Sequence, residues 1–203
     1  MIDPSKSKKY ARILATARDL FWKHGFKRVS IEEICGHAGA SKMTFYRFFP
    51  NKIELAKAVF DKEVAEGLQK FRNILTERSG SAEKIRKILQ LKLKGTHNIS
   101  KEFLQDFYGD RELGLKVYVE DKTKQTWTEI AKDFRAAQKN GWFRSDLKPE
   151  FLFYVSQKMG EMITDEKLLS LYPSPQALVM EFTNFVSYGI SPRNPDEQSA
   201  TQQ

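Results

Sequence analysis

Lys42, Met43, Thr44, Tyr46 and Arg47 crowd into six residues, and Phe45, Phe48 and Phe49 interleave with them. At helical spacing the phenylalanines gather on one side; the cations, the hydroxyls and the methionine are left for the other. Such a surface suits a polyanion. Its cations can neutralise phosphates, and its forked or apolar tips can read base edges. Arg47 can engage guanine through two parallel hydrogen bonds, Met43 can touch a thymine methyl, and Lys42 is a third candidate for a base edge. A short helix too polar and too basic on one side to be simply core is the kind placed in the major groove of duplex DNA.

The flanking residues dictate how that helix is held. Ser30 is followed three residues later by Glu33, a capping box that starts a helix. Ile31, Ile34, Cys35 and Ala38 then form one apolar face, and Gly39 ends the helix in a left-handed cap. Ser41 caps the next helix, which stops near Pro50 because the residue before proline disfavours the helical region. Asn51 caps a further helix, with Lys52 in its first turn and Glu54 three residues on. Two short helices around a tight turn result.

Residues Lys9 to Leu55 resemble the DNA-binding domain of the TetR family of bacterial transcriptional regulators. The resemblance stands on Ile13-Leu14, Ala17, Leu20-Phe21, Gly25, Val29-Ser30-Ile31, Ile34, Ala38-Gly39-Ala40-Ser41, Thr44-Phe45-Tyr46, Phe48-Phe49, Asn51-Lys52 and Leu55. Two positions depart from the family pattern: Met43 stands where a small residue is common and Cys35 where alanine is. The first bears on which bases are read, the second on packing. The resemblance implies that Tyr46 and Lys52 contact phosphates, that Thr44 does either task, and that Ser30 adds a phosphate contact to its capping. Lys6, Lys8, Lys9 and Arg12, at the start of the first helix, are further candidate phosphate neutralisers. It also implies a dimer on a roughly palindromic operator, a small-molecule effector that releases the DNA, and repression as the commoner outcome.

The charge distribution agrees with a polyanionic partner. The 203 residues carry a net +8, and the first 49 hold ten Lys/Arg against four Asp/Glu, while the other 154 hold 24 against 22. Positive charge is concentrated where the two short helices lie. Cys35 is the only cysteine, which excludes an intrachain disulfide and a cysteine metal cluster; its place on an apolar face points to an inert buried thiol. His24, His37 and His97 have no ligand spacing, and Thr96-His97 with Glu102 and Asp106 is a weak metal candidate. No HExxH, GxSxG, P-loop or GxGxxG occurs, so no catalytic residue, metal or cofactor is assigned. The polar start MIDPSKSKKY leads into no apolar run, and no stretch is long enough to span a bilayer; a cytoplasmic protein without a membrane partner is expected.

The rest of the chain is helical by periodicity, giving an all-α fold. Helices are expected over Ser5–His24, Asn51 to about Arg78, Ala82–Gly95, Lys101–Tyr108, Leu115–Lys139, Pro149 to about Leu169, and Pro175 to about Tyr188. Residues 1–52 form the helix-turn-helix domain and 53–190 a ligand-binding and dimerisation domain, joined rigidly by the long fourth helix. From 191 the composition turns to Pro, Asn, Ser and Gln, and a disordered tail is expected. Two uses are open for the apolar last two helices, packing within one subunit or forming a dimer interface, and the resemblance favours the second. Gly160, inside one of them, suits a close helix approach. Phe103, Phe107, Trp127, Ile130, Phe134, Tyr154 and Met162 are candidate walls of an effector pocket, with ordinary core packing the alternative. The competing reading of the whole chain is an architectural or adaptor DNA-binding protein with no effector, which requires a filled interior.

Overall fold

The computed structural model of the protein describes residues 7–192. Lys6, the Ser5 helix start and all but the first two residues of the expected disordered tail lie outside that range. Ten α-helices follow in order: α1 Lys8–His24, α2 Ile31–Ala38, α3 Lys42–Phe48, α4 Lys52–Thr76, α5 Ser81–Gly95, α6 Lys101–Leu104, α7 Leu115–Lys139, α8 Pro149–Met162, α9 Glu166–Ser170 and α10 Pro175–Ile190. A π-helical turn, Gln105–Gly109, prolongs α6. Among the described residues there is no strand, so the fold is all-α.

Helix starts are set by side-chain caps at the places the sequence marks. The Ser30, Ser41, Asn51, Ser100 and Ser174 oxygens each accept the backbone N–H three residues on. Each such bond satisfies a donor that the first helical turn leaves orphaned. Gly39 closes α2 at φ 59°, where its N–H and that of Ala40 return to the last turn of α2. One break was not anticipated. The helix starting at Pro149 ends at Met162, and Asp165 caps a separate α9 by accepting from Leu168 N. The Asp side chain offers the backbone a new start, and apolar periodicity alone does not register it.

The main core runs through both halves of the chain. Ile13, Phe21, Ile34, Phe45 and Leu55 of the first four helices are buried together with Phe103, Phe107, Leu115 and Leu178. A second cluster lies farther from α3, around Leu75, Ile85, Phe134, Phe143 and Ile190. The long α4 belongs to both. Each of its ends is held by a lysine. At its start Lys52 donates to carbonyls of the α1–α2 loop. At its far end Lys84, fully buried, donates to the carbonyls of Ile74, Leu75 and Glu77 at 2.9, 3.1 and 2.7 Å. Its ammonium also sits 4.1 Å from the Trp142 ring centre. A buried lysine is tolerable only with such partners, and here they are the carbonyls that the end of α4 leaves unpaired.

Candidate nucleic-acid interface and effector cavity

The α3 helix has two unlike sides. Phe45 is buried completely and Phe49 nearly so. They join Phe48 and Tyr10 in an aromatic cluster; Tyr10 stacks on Phe49 at 5.2 Å and meets Phe48 edge-on at 5.5 Å. Tyr10 was not singled out from sequence, since nothing in its local pattern links it to a helix thirty-odd residues away. The opposite side faces outward: Met43 is 83% exposed and Tyr46 55%, with Lys42 and Arg47 exposed beside them. An apolar side chain as bare as Met43 contributes nothing to this chain's own packing.

The polar groups of this side are parked on local partners. Lys42 pairs with Glu32 of α2, which raises the lysine pKa and lowers that of the carboxylate. The Arg47 guanidinium lies over the Phe48 ring, 5.0 Å from its centre. Ser41 and Thr44 share a hydroxyl contact of 3.0 Å at the start of α3. The Ser30 hydroxyl accepts from Glu33 N at 3.0 Å, so its capping role is present. At the start of α1, Lys8, Lys9 and Arg12 are exposed; Arg12 also folds back towards the α2–α3 turn at Gly39.

Lys52 departs from the expectation of a phosphate contact. Its ammonium donates to Phe26 O at 2.8 Å and Val29 O at 2.7 Å, and lies 4.3 Å from the Phe26 ring centre. The cause is its position as the first residue of α4. A cation there opposes the helix dipole, and the α1–α2 loop offers carbonyls instead. Burial pulls its pKa down, and the Asp106 carboxylate acts in the opposite direction. Lys52 closes the reading head onto α1 rather than presenting charge outward.

Beyond the reading head, helices α1, α4, α5, α7, α8 and α10 surround a cavity of about 1290 Å³. That is above the roughly 300–1000 Å³ common for drug-sized ligands. Of the expected wall residues, Phe103, Trp127 and Phe134 line it. Phe107 is buried among Phe21, Phe26 and Phe103, and neither it nor Ile130 is part of the wall. Tyr154 and Met162 are corrected outright: they are 62% and 42% exposed, on the outer side of α8. That helix is apolar on two sides, and Leu152, Met159 and Ile163 face the cavity instead. Periodicity finds both stripes without saying which one points inward.

The family model described as bacterial regulatory proteins, tetR family, matches residues 13–59, which contain the whole reading head. The chain is also similar to the uncharacterized HTH-type transcriptional regulator YdgC of Bacillus subtilis, 25% identical over 193 residues that cover 91% of this chain and 94% of that one. Residues 13–59 thus match the DNA-binding domain of the TetR family. Solved structures share its fold. The fatty acid degradation regulator FadR from Bacillus halodurans superposes with a TM-score of 0.66 at 18% identity, covering 91% of this chain and 97% of that one. A putative transcriptional regulator from Saccharomonospora viridis in complex with choline gives 0.61 at 19%, covering 93% and 100%. With this domain the chain is a transcriptional regulator with a DNA-binding helix-turn-helix. Among the described residues no helix is long and apolar enough to cross a membrane. Cys35 is buried, and burial pushes its thiol pKa up, away from the reactive thiolate.

The cavity wall and the reading domain meet along α1, whose Leu14, Arg18 and Trp22 line the cavity, and again where α6 packs on the end of α1. Phe103, a wall residue, packs its ring against Trp22 of α1 at 4.2 Å. The Asp106 carboxylate on the π-turn accepts Lys27 N at 2.9 Å, Lys27 pairs with Asp110, and Ser100 N donates to Trp22 O at 2.8 Å. Gly25, at φ 79°, makes room: a Cβ there would lie 2.8 Å from Glu102 Cβ and 2.9 Å from the Asp106 carboxylate. None of these contacts, except that a glycine follows α1, was legible from local pattern.

Proposed function

We propose that this regulator binds a roughly palindromic operator as a homodimer, represses the adjoining genes, and leaves the DNA when a small molecule occupies its cavity. The observation that carries the reading is the two-sided α3, whose phenylalanines are buried while Lys42, Met43, Tyr46 and Arg47 stand in the open. In the complex, Lys42, Met43 and Arg47 read base edges. Tyr46, Thr44 and Ser30 hold phosphates, with Lys8, Lys9 and Arg12 adding charge at the start of α1. Lys42 exchanges Glu32 for DNA, and Arg47 leaves Phe48. Residues 1–52 act as the reading domain and 53–190 as the effector and dimerisation domain.

Dimerisation is supported by the outer sides of α8 and α10. Phe151 (58% exposed) and Tyr154 on α8, with Phe185 (72%) and Tyr188 (67%) on α10, leave large rings bare on a single chain. A patch of this kind marks an interaction surface, and a second copy offers a self-complementary one. Two reading helices set about 34–36 Å apart then meet successive major grooves. An effector acts by favouring the conformer that misses this spacing, and its effect is bounded by that preference. The open cavity argues against the architectural alternative, which needs a filled interior; that a structural neighbour holds choline fits small-molecule use of the fold.

The test is selection of bound fragments from the source genome, followed by titration of the selected duplexes. Tight, salt-dependent binding to a two-fold sequence is expected; equal affinity for every duplex ends the operator reading. Melting of the protein with a metabolite panel tests the effector half, since a true ligand raises the midpoint by mass action.

A further inference from the structure

The inner stripe of α5 carries an unanswered charge. Ile85 is buried, Ile88 and Leu89 pack beside it, and Lys92 follows Ile85 by seven residues, on the same side of the helix. Lys92 lines the cavity. Elsewhere the chain answers its inward lysines: Lys84, on the same helix, has three carbonyls and a tryptophan ring, and Lys52 has three carbonyls and a phenylalanine ring. Among the described residues, no oxygen takes the Lys92 ammonium.

The groups that could have done so are engaged. A lysine in the last turn of a helix is ordinarily eased by the terminal carbonyls. Here Thr96 takes Lys92 O, Gln176 takes Leu93 O, and Arg18 and Trp22 both take Gly95 O. Four acidic residues border the cavity, and each has another cation: Asp19 and Glu63 pair with Arg18, Glu66 with Lys62 and Lys70, and Glu77 with Lys87. Six cations border it, so the wall carries a surplus of two positive charges, on Lys92 and Lys94. Lys92 is solvent-exposed where it lines the cavity, and the walls around it partly desolvate the ammonium and lower its pKa, with no acid acting against the shift. The remaining wall is largely apolar, with Phe103, Trp127, Phe134, Met159 and Phe182 contributing.

We propose that the effector is an apolar molecule with one anionic head group, seated so that the head pairs with Lys92 and the body fills the aromatic and aliphatic part of the cavity. The proposal rests on the effector reading of that cavity and names the chemistry it selects. An anion supplies the partner that the wall lacks, and a charge-assisted bond in a partly dry site is stronger than one at the surface. A neutral molecule of the same length fills the same space and leaves Lys92 unanswered.

The test uses the full-length protein, with dodecanoate, dodecyl phosphate and dodecanol as probes below their micelle concentrations. Binding is read by tryptophan fluorescence, since Trp22 and Trp127 border the cavity, and by calorimetry. At least one anion should bind about ten- to a hundredfold more tightly than the alcohol. Lys92→Met should remove that advantage, with alcohol affinity kept and the apo melting midpoint unchanged or raised. Carboxylate and phosphate heads are separated by which of the two probes shows the advantage. An alcohol that binds as well as both anions, or a Lys92→Met variant that weakens all three alike, overturns the head-group proposal and leaves the effector reading standing. No binding by any probe also overturns it, and the metabolite panel then decides the effector reading separately.

Discussion

Arg47 and Lys52 are basic residues five apart, and the structure gives them different work. Arg47 lies exposed over Phe48 with no acidic partner among the described residues. Arg47→Ala should therefore leave stability nearly unchanged and cost about 1–3 kcal/mol of discrimination at one base pair per half-site. Operator variants titrated in parallel check this; a uniform loss across all of them removes Arg47 from the base-reading set. Lys52 makes the opposite case. Lys52→Met leaves the Phe26 and Val29 carbonyls without their donor and should lower the unfolding free energy by about 1–3 kcal/mol. The slope of operator affinity against salt should stay the same, because no phosphate contact is lost; a slope flatter by about one unit restores Lys52 to the phosphate set. The sequence showed a lysine at a helix start. It could not show where the ammonium goes, because the carbonyls that hold it come from a loop more than twenty residues upstream.

Among the elements, the short α6 with its π-turn is one of those that connect cavity and reading head. One side of it supplies Phe103 to the cavity, and Asp106 holds the loop after α1. The approach is possible because Gly25 has no side chain and takes a backbone conformation that other residues rarely adopt. Gly25→Ala should cost about 1–3 kcal/mol from backbone strain alone, measured by chemical denaturation, and should weaken the effect of any ligand on operator affinity. An alanine variant with the parent's midpoint and the parent's ligand response dismisses the junction as the coupling route. Element positions were largely legible from caps and breakers: α7 was expected over Leu115–Lys139 and is found there. What was not legible is the orientation of α8. With apolar residues on two sides, its outward Tyr154 and inward Met159 are distinguished only by the helices around them.

For the whole molecule, the bare rings on α8 and α10 set the assembly. Phe185→Glu combined with Tyr188→Glu places two carboxylates in the proposed interface. Sedimentation should then report a monomer, with operator affinity reduced to that of a single half-site and the melting curve of the chain little changed. A parent protein that sediments as a monomer, or a double variant that stays dimeric, moves the interface elsewhere. The lysines that anchor α4 at its two ends have a practical consequence at this scale. Acylating reagents attack only an amine they can reach, so the exposed Lys8 and Lys9 should be modified early, and Lys52 and Lys84 should resist while their carbonyl partners hold them. Brief acylation pulses in rising urea, read by peptide mass, would then time the release of each end of that helix separately, and tell whether the chain comes apart first beside the operator or first at the far end.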